Sequence, residues 1–87
     1  MIEVRKPSDQ ELNSLNVKSW PIWTKEKSRF SWHYDEKETC YILEGEVIVR
    51  YAGKEVKFGR GDLVVFPEGL SCEWEIIKDV KKHYKFG

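Results

Sequence analysis

Short runs of alternating apolar and polar residues, each closed by a turn, fill the chain from Trp20 to Phe86. Cys72, Trp74 and Ile76 alternate with two glutamates, for example, which is typical of a strand with one buried face. So many short strands need closure, because an open sheet would leave unpaired edges. The pattern therefore predicts an all-β fold, for which a double-sheet jelly roll is the natural solution.

Turn residues divide the chain into about eight or nine predicted strands. Glu44-Gly45 and Lys78-Asp79 are predicted to end strands, and the wholly apolar run Leu63–Phe66 is predicted to be buried on both faces. Three glycines at predicted turns are expected to need a positive φ: Gly45, Gly61 and Gly69. The predicted strand segments are residues 2–6, 20–23, 30–34, 38–43, 47–51, 56–58, 63–66, 72–76 and 80–86.

One helical signal precedes these strands. Ser8-Asp9-Gln10-Glu11 has the form of a capping box, in which the Ser8 side chain accepts from the Glu11 amide. Leu12 and Leu15 then give one apolar side to a short N-terminal helix or turn. No later segment has sustained helical periodicity.

Composition limits the function classes. The 87 residues fit one domain spanning residues 1–87, and 15 basic and 15 acidic residues give a net charge of zero. This balance provides no field that would attract nucleic acid or an anionic membrane. No segment has the length of a membrane span or the apolar core of a signal peptide, so we expect a cytoplasmic protein. Two cysteines are too few for a disulfide scaffold.

Two segments have a defined spacing of turn and polar residues. One contains Glu38 and Gly45, and the other is Gly61-Asp62-Leu63-Val64-Val65-Phe66-Pro67-Glu68-Gly69-Leu70-Ser71-Cys72. They resemble the paired motifs of the cupin superfamily, and the second segment has the spacing of the second motif, with Cys72 where histidine is usual. Glu38 and Gly45 have the separation found in the first motif, but its histidine pair is replaced. In the first motif three or four residues separate the histidine pair from the glutamate. The shorter count, three residues before Glu38, places Trp32 and Tyr34 at the histidine positions, and the longer count, four residues, places Ser31 and His33 there. The resemblance implies a cupin-type double-stranded β-helix, a jelly-roll barrel.

Three further runs resemble single-domain cupins related to the cupin domain of ureidoglycine aminohydrolase. The resemblance implies that Glu38 and Cys72 both point into the barrel, with a small-molecule pocket at its mouth. Many members of this group have no assigned reaction, and the fold hosts many chemistries. The three runs are Trp20-Pro21-Ile22-Trp23, Glu38-Thr39-Cys40-Tyr41 and Lys82-His83-Tyr84.

Three residues are the predicted catalytic groups. A carboxylate such as Glu38 is costly inside an apolar barrel unless it has a partner or a function; the alternative is a rim residue paired with a lysine. Cys72 is a nucleophile if its pKa is lowered, and otherwise a small core hydrophobe. Tyr34 offers a phenol that donates to a substrate oxygen.

Further residues complete the predicted pocket. Trp32, Cys40 and Trp74 are predicted to contact substrate, although core packing is the favoured explanation for Trp74, because a small barrel needs large side chains to fill it. By the shorter count His33 points outward, and His83 is predicted to be exposed or at an edge.

The resemblance also bears on metals. Cupin metal sites normally combine three histidines with a glutamate, whereas this chain offers Trp32, Tyr34, Glu38 and Cys72. We therefore predict no tightly bound metal. If an ion does bind, Mn, Fe, Ni or Zn is expected, held by Glu38, Cys72 and His33.

Three classes of function remain open. The first is a metal-independent isomerase, epimerase or hydrolase acting on a carbohydrate-like or small polar metabolite. The second is a metal-dependent enzyme resembling ureidoglycine aminohydrolase, and the third is a ligand-binding module without catalysis. A homodimer is expected in each case.

Overall fold

The computed structural model describes all residues, 1–87, and consists mostly of antiparallel β-strands. Seven strands, one α-helix and one 3₁₀ turn make up the chain. None of the helical segments has the length and apolar character needed to span a membrane. The elements are β1 (Glu3–Arg5), α1 (Asp9–Leu15), a 3₁₀ turn (Val17–Ser19), β2 (Ile22–Lys25), β3 (Ser28–His33), β4 (Glu38–Tyr51), β5 (Lys54–Gly59), β6 (Leu63–Phe66) and β7 (Ser71–Phe86).

Two long strands organise the fold. β4 pairs with β7 from Glu38 opposite Phe86 to Arg50 opposite Glu73. The first half of β4 also pairs with β6, which in turn pairs with β1, and the second half pairs with β5. The second half of β7 pairs with β2, and its first half pairs with β3. The strands thus form two connected layers, β1-β6-β4-β7-β2 and β5-β4-β7-β3, and the all-β jelly-roll prediction is confirmed.

The predicted strand count is wrong because two expected breaks lie inside long strands. Glu44-Gly45 lies within β4, and Lys78-Asp79 lies within β7. Gly45 has a φ of 111°, and a Cβ there would lie 2.7 Å from the backbone oxygen of Asp79. The register of β4 against β7 shifts between Ile42 and Val47. β4 therefore bends at Gly45, as at a β-bulge, and continues past it.

The other turn predictions hold. Gly61 and Gly69 have positive φ values, as Gly45 does. In the N-terminal helix the Ser8 hydroxyl accepts from the Glu11 amide at 3.1 Å, which confirms the predicted cap. The helix buries none of its residues. The following 3₁₀ turn, which the sequence did not predict, places Val17 in the interior.

Alternation along the strands builds an aromatic core. In β4 the residues Glu38, Cys40 and Ile42 face inward, and in β7 Cys72, Trp74 and Ile76 do so. β6 contributes residues to both faces and is buried, as predicted. The rings of Tyr34 and Phe66 stack with centroids 4.8 Å apart, and Phe66 contacts Trp74 at 5.6 Å. Aromatic packing therefore fills the barrel and also forms the inner wall of a pocket.

Candidate functional site

An aromatic-walled pocket of about 580 Å³ opens between β2, β3, the start of β4 and the second half of β7. Its volume suits a small metabolite. Most of the lining residues are hydrophobic, and of the polar ones only Glu38 and Lys82 are buried. The lining residues are Trp23, Thr24, Lys25, Phe30, Ser31, Trp32, Tyr34, Glu38, Trp74, Lys82, Tyr84 and Phe86.

A buried ion pair is the main polar feature of this pocket. Lys82 Nζ donates to Glu38 Oε2 at 2.8 Å, and the two side chains are 6% and 4% exposed. The ammonium also lies 4.8 Å from the ring centroids of both Trp23 and Trp74. One carboxylate and two indole rings therefore hold a single positive charge in a largely apolar site.

The register of the two long strands brings this pair together. Glu38 begins β4, opposite Phe66 on one side and Phe86 on the other. Lys82 lies opposite Ile42, which shares its inward face with Glu38. The long side chain of Lys82 therefore reaches the carboxylate within the barrel.

The sequence did not lead us to predict Lys82 as a pocket residue, although the alternation pattern of its strand indicates that it is buried. It has the same alternation phase as Cys72, Trp74, Ile76 and Val80, all of which are buried. The predicted break at Lys78-Asp79 interrupted that phase, and the surrounding lysines suggested a solvated strand. Of the eleven lysines in the chain, Lys82 is the only buried one. Trp23 and Phe30 were also missed as pocket residues.

Tyr34 is held beside Glu38 by the turn before β7. Its amide donates to the Leu70 carbonyl at 2.8 Å, and its carbonyl accepts from the Gly69 amide at 2.7 Å. Burial raises the pKa of the Tyr34 phenol far above its ordinary value, and the negative charge of Glu38 raises it further. The phenol is therefore neutral at any working pH and can donate a hydrogen bond.

Two tryptophans predicted to contact substrate line the pocket in different ways. Trp32 is 49% exposed and forms part of the rim. Trp74 is buried in the wall, and its indole Nε1 has no hydrogen-bond partner. With Tyr34 and Glu38, four of the six predicted site residues therefore line one pocket. Their catalytic and binding roles stay predictions.

The two cysteines are the predicted site residues that lie outside the pocket lining. Cys40 and Cys72 are buried free thiols, and neither lines the pocket. Burial raises the pKa of Cys40 to about 12, an effect that the charge of Lys82 opposes in part. Burial and the charge of Glu38 raise the pKa of Cys72 to about 11. A nucleophilic Cys72 requires a shift in the opposite direction, so both thiols are suited to core packing.

The histidines lie outside the pocket. His33 is exposed, and its Nδ1 lies 2.7 Å from the Ser71 hydroxyl, so the shorter motif count describes this strand correctly. His83 is buried, contrary to the prediction of an exposed or edge residue, because β7 is flanked there by β2 on one side and β4 on the other. Its Nδ1 lies 2.9 Å from the Trp20 carbonyl oxygen.

The donor set around Glu38 does not fit a divalent metal ion. No group of three or more His, Cys, Asp or Glu side chains has a metal-binding arrangement. The proposed set of Glu38, Cys72 and His33 is not brought together, since His33 points away from the pocket. The Glu38 carboxylate instead has the Lys82 ammonium as its positive partner.

Comparisons with known proteins identify the family. A family model described as the EutQ-like cupin domain matches residues 12–84. A DUF861 family protein of Thermotoga maritima is 48% identical, with a TM-score of 0.98 and 100% of both chains covered.

Two more distant structures share the fold. The EutQ protein of Clostridium difficile is 16% identical, with a TM-score of 0.71, over 98% of this chain and 66% of that one. A cupin-2 domain protein of Shewanella frigidimarina is 17% identical, with a TM-score of 0.62, over 76% and 67% of the two chains. No curated protein matches the sequence. Because the family model covers most of the chain, this protein belongs to the EutQ-like cupin family.

Proposed function

We propose that this chain is a metal-independent cupin enzyme that moves a proton on a small, neutral, polar metabolite bound in the aromatic pocket. The buried Glu38–Lys82 pair carries this proposal, because both charged groups line the pocket. A barrel of this size gains little stability from a buried ion pair that apolar side chains could replace. A role in chemistry accounts for its position.

The arrangement supplies the parts of general acid–base catalysis. Glu38 accepts a proton from a carbon or hydroxyl of the ligand and returns it at another atom. The Lys82 ammonium and the neutral Tyr34 phenol donate hydrogen bonds to an oxygen on which negative charge develops. These interactions gain strength from the apolar walls, which exclude water.

The pocket also favours a neutral ligand over an ionic one. The two buried opposite charges cancel, and the third charged lining residue, Lys25, is exposed to solvent, so an ionic ligand would bring an uncompensated charge to the buried part of the pocket. The rings of Trp23, Trp32 and Phe30 offer flat surfaces for the C–H faces of a sugar or a similar polyol. Isomerisation and epimerisation of a carbohydrate-like metabolite fit these features best.

The test combines binding with proton exchange. Purified protein is screened for thermal stabilisation by a panel of neutral sugars, sugar alcohols and small hydroxy-carbonyl compounds. Each hit is then incubated in D₂O, and solvent deuterium entering its C–H positions is followed by NMR. We expect exchange with wild-type protein and a loss of about 100-fold or more with Glu38→Gln.

A surface variant provides the matched control. Glu75 also pairs with a basic side chain at 2.8 Å, but on the outside of the barrel, so Glu75→Gln should exchange like wild type. Full exchange by Glu38→Gln would overturn the proposal. Binding without any exchange would identify a ligand-binding module instead.

Three further expectations stay predictions. A metal-dependent activity resembling that of ureidoglycine aminohydrolase would require a bound metal, which elemental analysis of protein purified without chelators would detect. Light scattering would test homodimer formation, and cell fractionation would test a cytoplasmic location.

A further inference from the structure

We propose that Lys82 captures a carbonyl compound covalently, as a Schiff base, with Glu38 as the proton carrier. This inference rests on the proposed small-molecule pocket and assigns to it a substrate class, small aldehydes and ketones. Two lysines line the pocket; Lys25 is exposed, whereas Lys82 is buried at 2.8 Å from Glu38 and is the one with a proton carrier beside it.

The surroundings of Lys82 suit the iminium product as well as the resting ammonium group. An iminium ion carries the same single positive charge as the ammonium that it replaces. The Glu38 carboxylate at 2.8 Å and the two indole rings at 4.8 Å would therefore stabilise both species. Capture of a neutral carbonyl compound leaves the charge of the buried site unchanged, so no ion has to enter or leave it.

Each proton in the reaction has a defined carrier. Glu38 first takes a proton from the Lys82 ammonium, and the free amine attacks the carbonyl carbon as the C=O π bond opens. The protonated Glu38 delivers its proton to the resulting alkoxide, and then takes a second proton from the nitrogen. It finally protonates the hydroxyl, which leaves as water while the C=N bond forms. The products are the iminium, one water and the Glu38 carboxylate.

The test is reductive trapping resolved by residue. The folded protein is treated with glycolaldehyde and sodium cyanoborohydride, which reduces an iminium to a stable secondary amine. Peptide mass spectrometry then measures the labelling rate at each lysine. The same reaction in 8 M urea gives the reference rates for the unfolded chain.

The two explanations for Lys82 predict opposite effects of folding on its labelling rate. If Lys82 is only a buried core residue, folding protects it and its labelling is slower than in urea. If it is the carbonyl-binding nucleophile, its labelling in the folded state is faster than in urea by about tenfold or more. Lys81, its neighbour on the outer face, serves as the internal control and should not be accelerated.

Two variants complete the test. Glu38→Gln, which cannot accept a proton, should slow trapping at position 82 by about 100-fold without changing Lys81. Lys82→Arg keeps the positive charge and should abolish trapping at position 82 while Lys81 is labelled as in the wild type. Protection of Lys82 in the folded protein would overturn the inference even if sugars bind and exchange deuterium. Loss of exchange in Glu38→Gln, by contrast, tests the proposed function alone.

Discussion

Two ion pairs in this molecule have the same nitrogen–oxygen distance, but one is buried and the other is on the surface. Lys82 and Glu38 approach to 2.8 Å inside the barrel, where their side chains are 6% and 4% exposed. Arg50 and Glu75 approach to the same 2.8 Å on the outer face, where their side chains are 34% and 30% exposed. Arg50 also contacts Glu55 at 3.0 Å, so it belongs to a surface network.

The comparison shows that distance alone does not determine what an ion pair contributes. Water and salt screen the surface network, and its members have alternative partners in solvent. The inner pair has no such alternatives, because each charge depends on the other for solvation. Removing one member therefore has very different consequences at the two sites.

The largest expected effect comes from breaking the inner pair. Lys82→Met leaves the Glu38 carboxylate buried without a counter-ion and should lower the free energy of unfolding by about 3–5 kcal/mol. In the double variant Glu38→Leu/Lys82→Met both charges are gone, and most of this loss should be recovered. Urea denaturation of the three proteins at pH 7 measures both values.

The double variant is the decisive member of this series. If it is as unstable as Lys82→Met, the loss comes from packing of the lysine stem and not from an uncompensated charge. The activity of the double variant is a separate measurement. The proposed chemistry requires that this variant be stable and inactive.

A second prediction concerns the buried thiols near the inner pair. Burial raises the pKa of Cys40 to about 12 and that of Cys72 to about 11, whereas a thiol in the unfolded chain titrates near 8.5. Above that value the unfolded chain loses protons that the folded protein keeps. The contribution of the thiols to the free energy of unfolding is therefore fully present below about pH 8.5, and it is lost as the pH rises toward 11–12.

Alanine substitutions isolate this contribution. Between pH 8 and pH 10 the wild type should lose about 2 kcal/mol more per thiol than the Cys40→Ala/Cys72→Ala variant. Tyrosine and lysine side chains titrate in both proteins, so their effects cancel in the difference. Parallel stability curves for the two proteins would show that the thiols titrate normally in the folded state.

The two ion pairs also show how far the sequence alone could lead. Local signals were reliable: the Ser8 cap, the positive φ of Gly45 and the buried run Leu63–Phe66 were all predicted correctly. Each depends on residues close together in the chain. The spacing around Glu38 also located one member of the inner pair.

The missed features depend on long-range register. Gly45 has the φ of a turn residue, but its close contact with Asp79 and Val80 makes it a bend within a long strand. Lys82 is buried because β7 continues past Lys78 and pairs with β4 in a register that places it near Glu38. No short sequence window contains that information, since 44 positions separate the partners.

The smallest expected effect comes from the surface network. In Glu75→Gln, Arg50 keeps its contacts with Glu55 and Glu73, so the melting temperature should change by about 1 °C or less. In 1 M NaCl, which shortens the screening length to about 3 Å, even this difference should disappear. The deficit of Lys82→Met should persist in the same salt, because the Glu38 side chain is only 4% exposed and buried charges are screened much less than surface ones. Calorimetry of both variants at low and high salt measures the contrast, and a salt-sensitive deficit in Lys82→Met would mean that water and ions reach the inner pair.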